Sequence, residues 1–182
     1  MDIKILKECG YEEAMLGLSL SHNQPVSRMP GIAAKLSSKD GGHNKFLESI
    51  YVWLDINAPR FWWQEADTYR LSTKQSESTM HTINKGYITQ DDFEYKVGNL
   101  TVSILNSLIK NLNTTSIPSE KTELFLEIKN RLPEGFLQRR IWVMNYKCLR
   151  NIYQQRKNHK LIQWEIFCNK IKMQLEHPSY II

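Results

Sequence analysis

Two stretches of the sequence concentrate polar residues at spacings that could do chemistry. The first is Ala58-Pro-Arg-Phe-Trp-Trp-Gln-Glu-Ala-Asp-Thr-Tyr-Arg70, continuing Leu-Ser-Thr-Lys-Gln-Ser-Glu-Ser-Thr-Met-His81. Its second half is dense in hydroxyls and amides, with one carboxylate at Glu77. Such a segment can grip a polar ligand through many neutral hydrogen bonds. A serine- and threonine-rich solvent loop has the same composition. The second stretch is Asn145-Tyr-Lys147-Cys-Leu-Arg150-Asn151-Ile-Tyr-Gln-Gln-Arg156, followed by His159 and Gln163-Trp164-Glu165-Ile166. At about 100° per residue, Asn145 and Arg156 fall on nearly the same helix face, and Lys147 and Asn151 on a roughly opposite one. A helix polar on two faces needs polar surroundings on both. An oligomer with sites between subunits supplies them, and so does plain exposure to water.

Other chemistries find no support. His22, His43, His81, His159 and His177 include no pair at helical spacing, and Cys9, Cys148 and Cys168 include no C-x-x-C pair. No structural metal site is expected. Cys148 and Cys168 lie inside predicted helices and read as core. No glycine-rich loop follows a strand, so neither a dinucleotide fingerprint nor a phosphate-binding loop is present.

The chain has 182 residues, 41% hydrophobic and 24% charged, in keeping with a single globular domain, 1–182, large enough for a real core. Nothing approaches the ~18 consecutive apolar residues of a membrane span. Met1-Asp2-Ile3-Lys4 does not open like a secretory signal, and three scattered cysteines suit a reducing cytoplasm. The formal charge of +5 gathers in Arg139-Arg140, Lys147, Arg150, Arg156-Lys157 and Lys160. That excess suits one nucleotide's phosphate or a solvated helix face better than nucleic acid, because the stacking residues Trp62 and Trp63 read as core.

These groups need elements to position them. Helices are expected over 11–20, with Tyr11, Met15, Leu16 and Leu18 available for burial, and over 59–69, 90–112, 117–131, 145–157 and 161–175. Residues 43–50 are a shorter helical candidate. Strands are expected over 50–56 and 137–144. Stretch 21–42 reads as loop with a turn of helix near 31–36, and 71–85 as a polar loop. Pro59 suits a first helical position, while Thr89 and Asn145 suit N-caps. Val97, Leu100, Ile104, Leu105, Leu108, Ile109 and Leu112 mark helix 90–112 as core. The class is α+β, with helices on a small, mainly antiparallel sheet.

From about Gly42 to Leu175 the sequence resembles the flavin-dependent thymidylate synthase family; 1–41 matches it loosely. The family has a strand ending in Ala-Pro, a helix, then R-H-R-x-x-S-x-N-E-x-S-x-R. Later come Leu-Pro, an Asn-x-Arg helix start, an Arg eleven residues beyond that Asn, a His, and Gln-Trp-Glu-Ile. Here Ala58-Pro59, Leu132-Pro133, Asn145, Arg156, His159 and Gln163-Trp164-Glu165-Ile166 keep that order. The signature is altered. Thr68, Tyr69 and Arg70 stand for R-H-R, Thr73 for the first Ser, Gln75 and Ser76 for Asn-Glu, and Met80 for the last Arg; Ser78 is kept. Lys147 and Lys129 stand where the family has Arg. A one-residue slip brings Glu77 near the Glu position.

The resemblance implies flavin- and folate-dependent C5 methylation, or a related one-carbon transfer, on a pyrimidine deoxynucleotide such as dUMP. The implied cofactors are FAD, methylenetetrahydrofolate and NADPH, and the implied assembly is a homotetramer. Arg156 would stabilise the ionised pyrimidine. Arg70, Asn145, Lys147, Asn151 and His159 would hold flavin. Gln75, Ser76, Glu77, Ser78 and Lys129 would line the nucleotide pocket. A family member that binds a nucleotide or partner without flavin is the alternative.

Overall fold

The computed structural model describes residues 1–39 and 41–182. Asp40, inside the stretch read as loop, lies outside the described residues. The fold is α+β, built on a small antiparallel sheet ordered β1-β2-β4-β3. The strands are β1 (Asp2–Cys9), β2 (Tyr51–Pro59), β3 (Ser72–Ser76) and β4 (Leu137–Asn145). The helices are α1 (Tyr11–His22), α2 (Met29–Leu36), α3 (Arg60–Ala66), α4 (Thr79–Thr82), α5 (Asn99–Thr114), α6 (Pro118–Arg131), α7 (Tyr146–Arg156) and α8 (Ile162–Gln174). No helix among the described residues is long and apolar enough to cross a membrane.

The described residues form two compact units. One comprises Met1, Asn57–Ala66 and Ser76–Arg139; the other comprises Asp2–Ile56, Asp67–Gln75 and Arg140–Ile182. The second holds most of the sheet. Alternation decides its buried face: Val52, Leu54 and Ile56 of β2 are fully buried, as is Trp142 of β4. Phe167 of α8 lies against Trp142, with ring centroids 5.9 Å apart, and α8 packs on β1. Gly10 starts α1 at φ 88°, where a Cβ would stand 2.1 Å from the Ser49 carbonyl oxygen. Only glycine fits both the left-handed backbone and that close approach.

In the other unit, α5 and α6 enclose a cluster of Ile83, Ile88, Phe93, Leu105, Ile109, Leu112, Ile128 and Leu132. The helix expected over 90–112 is divided. Thr89 does cap, but it caps a 3₁₀ turn over Gln90–Asp92, with a complete capping box to Asp92. The Gln90 amide then bonds both the N–H and the carbonyl of Val97, 3.0 Å each, closing a loop before α5 begins at Asn99. Leu100 and Ile104, expected in the core, are 72% and 36% exposed. Leu16 of α1 is also exposed, while Met15 and Leu18 are buried.

The segment around the altered signature departs further from expectation. Pro59 ends β2 rather than opening a helix. The N–H groups of Arg60 and Phe61 instead bond the carbonyls of Phe136 and Glu134 at 3.1 Å. Helix α3 stops at Ala66 rather than residue 69, and the polar loop contains β3 and α4. A strand of sequence Ser-Thr-Lys-Gln-Ser has no apolar alternation to announce it; pairing with β4 makes it one.

Candidate functional site

Helix α7 and the turn after it assemble a connected polar group within the second unit. Asn145 caps α7, its Oδ1 accepting the Cys148 N–H at 2.9 Å. The cap fixes where the helix begins, and so which face each later residue takes. Arg156, half-buried, is the last residue of α7. Its Nε–H donates to the Tyr69 hydroxyl at 2.7 Å. Its Nη1 lies 2.9 Å from Nε2 of His159. The guanidinium also stacks over the buried Trp164, 4.7 Å from the ring, and lies 5.6 Å from the Tyr69 ring. A cation on an aromatic face is attracted by the ring quadrupole, more so where water is thin. His159 is placed by the tight turn beyond α7, where its Nδ1 lies 3.2 Å from the Leu161 N–H.

Tyr69 is held from behind. Its carbonyl accepts Ser72 Oγ at 2.8 Å and Lys74 Nζ at 3.3 Å. The Lys74 ammonium lies 4.6 Å from the Trp142 ring and 3.8 Å from Asp67, whose carboxylate also takes two 3.0 Å bonds from Arg140. Burial pushes the Lys74 ammonium below its ordinary range, against the pull of Asp67. Burial raises the Cys148 thiol, and carries the Cys168 thiol up to about 11. Both thiols are thus protonated and inert at neutral pH, as their core reading predicts.

The residues expected to hold flavin divide. His159 and Asn151 join the nucleotide residue Arg156 in one connected group, since Asn151 Oδ1 accepts Gln155 Nε2 at 3.0 Å and Gln155 accepts from Tyr69. Lys147 pairs with Glu48 at 2.6 Å. Asn145 spends its carbonyl oxygen on the cap. Arg70 is exposed and forms no ion pair among the described residues. Their remaining donors are of the kind that meets phosphate: the Arg70 fork, the Lys147 N–H groups beyond the one Glu48 takes, and the Asn145 amide N–H₂.

The nucleotide residues also divide. Gln75 is exposed at the end of β3 in the second unit, while Ser76, Glu77, Ser78 and Lys129 lie in the first. There the Glu77 N–H donates to Arg139 O, and the Glu77 carbonyl accepts Gln138 Nε2, both at 2.9 Å. Ser78 opens α4, its carbonyl taking Thr82 Oγ1 at 3.0 Å. Lys129 on α6 donates to Thr79 Oγ1 at 2.5 Å. Glu77, Thr79, Asp91 and Arg139 contribute to a cleft of about 320 Å³ within this unit. Trp62, Trp63 and Trp142 are fully buried, so none is available to stack on a base. Among the described residues, no group of three or more His, Cys, Asp or Glu is arranged to hold a metal ion.

Compared by sequence, the chain matches no family model and no curated protein. Compared by structure, it matches two crystal structures of the flavin-dependent thymidylate synthase ThyX from Helicobacter pylori, solved with FAD and dUMP, each with a TM-score of 0.76. The fold is that of a flavin-dependent thymidylate synthase. Identity is 14% and 15%, and the match covers 100% of this chain and 98% and 97% of theirs. The match thus extends beyond the stretch from about Gly42 to Leu175 that carries the sequence resemblance. Sequence reasoning placed Tyr69 at the signature's His position but missed its bond to Arg156. It also missed Gln155, Lys74 and Asp67, because no periodicity marks a contact between residues 87 apart.

Proposed function

We propose that the protein carries out flavin- and folate-dependent C5 methylation, or a related one-carbon transfer, on a pyrimidine deoxynucleotide such as dUMP. The carrying observation is the fixed guanidinium of Arg156, stacked on Trp164 and bonded to Tyr69. A fixed cation in a partly buried site stabilises an ionised pyrimidine ring without reorganising during the reaction. The shared thymidylate synthase fold supports the same reading.

When bound, reduced FAD supplies hydride and methylenetetrahydrofolate the one-carbon unit, with NADPH as the source of electrons. The chain's own residues bind and orient. Arg70, Lys147, Asn145, Asn151 and His159 hold the flavin. By the resemblance, Ser76, Glu77, Ser78 and Lys129 are the nucleotide residues of the first unit, and Gln75 and Arg156 those of the second. The working form is a cytoplasmic homotetramer, and 1–182 is one domain of the thymidylate synthase-complementing type. The purified protein is expected to show a flavin absorbance band and to bind dUMP. Colourless protein that takes up no FAD in titration would overturn the proposal.

A second reading has its own observation. Asn145 Oδ1 and one N–H of Lys147 are already spent inside the chain. On this reading the protein binds a nucleotide, or a partner, without flavin. Thermal stabilisation by a pyrimidine nucleotide in colourless protein supports it; folate-dependent turnover rules it out.

A further inference from the structure

We propose that Tyr69 is a positioning residue. Its hydroxyl joins Arg156 and Asn151 in one directed hydrogen-bond chain, which presents a fixed guanidinium and a fixed amide donor to the ligand. This rests on the nucleotide and flavin reading above.

The direction follows from donor and acceptor inventory. A guanidinium can only donate. The Tyr69 hydroxyl, 2.7 Å from Arg156 Nε, therefore accepts there. Its single proton is left for Gln155 Oε1, 3.1 Å away. That bond fixes which end of the Gln155 amide is oxygen. Gln155 Nε2 then points at Asn151 Oδ1, 3.0 Å away. Asn151, an exposed residue, in turn has its oxygen engaged, which leaves its N–H₂ to donate. An amide is normally ambiguous, because oxygen and nitrogen can exchange places; here the sense is imposed from the guanidinium end.

The chain has a rigid origin. Tyr69 is buried, its ring lies edge-on to Trp164 at 6.0 Å, and its carbonyl is bonded by Ser72 and Lys74. Arg156 and Asn151 sit on α7, whose start is set by the Asn145 cap. Arginine loses more rotamer freedom on being fixed than almost any side chain. Fixing it in the folded chain moves that cost out of ligand binding. A histidine, as the family signature has here, lacks the phenol's reach and its single acceptor-donor oxygen.

Tyr69→Phe removes the hydroxyl and keeps the ring, so it separates positioning from packing. In the full chain, dUMP affinity is expected to fall about tenfold and FAD affinity a few-fold, the size of losing a hydrogen bond to a charged group. The Arg156 Nε–H resonance in a ¹⁵N spectrum is expected to broaden by exchange with water, although the fold is retained by circular dichroism. Gln155→Leu is the second variant, at an exposed position. It is expected to free the Asn151 amide and lower FAD affinity only, leaving Arg156 Nε–H and dUMP affinity at wild-type values. Unchanged Arg156 Nε–H in Tyr69→Phe, or an unchanged Asn151 amide in Gln155→Leu, overturns the proposal. Should the wild type bind neither dUMP nor FAD, the functional reading fails, while the two resonances still decide whether Tyr69 positions Arg156.

Discussion

Arg156 and Lys129 are the two cations proposed to meet the nucleotide, and the molecule treats them differently. Arg156 has a ring beneath it, a phenol on its Nε and an imidazole beside its Nη1. Among the described residues Lys129 is bonded to Thr79, a residue of the four-residue helix α4. The planar fork of arginine matches several fixed partners at once, whereas the ammonium of lysine is a point charge on a flexible stem. On the proposed function, the difference matches two demands. Stabilising charge on a ring requires a cation held in one place, while holding a phosphate requires charge nearby and tolerates movement.

The largest expected effect tests the platform. Trp164→Ala removes a fully buried ring and is expected to cost about 3–5 kcal/mol in urea unfolding, with loss of nucleotide binding. A cost below ~1 kcal/mol would show that Arg156 needs no platform. Arg156→Gln keeps most of the length and removes the charge. Nucleotide affinity should drop roughly 10- to 100-fold in a fluorescence titration, against only a few-fold for Lys129→Gln; equal losses would dissolve the contrast. Asn145→Ala should destabilise the protein by about 1 kcal/mol by removing the α7 cap. That loss should fall on Arg156's end of the comparison and leave Lys129 unaffected.

The smallest effect concerns the support behind Tyr69. The Lys74 ammonium is depressed in the fold, so the unfolded chain binds that proton more tightly. Its contribution is least favourable below the lowered folded value, and stability rises with pH between that value and the ordinary 10.5. The wild type should therefore gain on Lys74→Met across that alkaline window in thermal unfolding. A gap that stays flat with pH would mean Lys74 is not desolvated.

The two regions were also unequally legible. The Asn145 cap, helix α7 and the Arg156 position could all be read directly, because capping and 3.6-residue periodicity are local properties of short stretches. Around Ala58–His81 the residues were identified and the elements were mistaken. Pro59 stays in a strand because Arg60 and Phe61 bond across to Phe136 and Glu134. Strand β3 exists because β4 lies beside it, with Lys74 above Trp142. Leu100 and Ile104 fit the helical period and lie within α5, yet both are exposed, and the capped turn at Gln90–Asp92 and the Gln90 loop delay α5 to Asn99.

By itself, the amino-acid order determined the α+β class, most of the helices, the core strands and the family likeness of Leu132-Pro133, Asn145, Arg156 and Gln163-Trp164-Glu165-Ile166. The elements rest on propensity and period, which act over a few residues, and the likeness rests on the family resemblance of those motifs. Only the tertiary structure decided that Tyr69 is Arg156's partner, that Lys74 lies over Trp142, and that Gln155 engages the Asn151 oxygen. Each of those depends on groups distant in sequence meeting, the last through the Tyr69–Gln155 bond, and hydrogen-bond direction leaves no trace in periodicity.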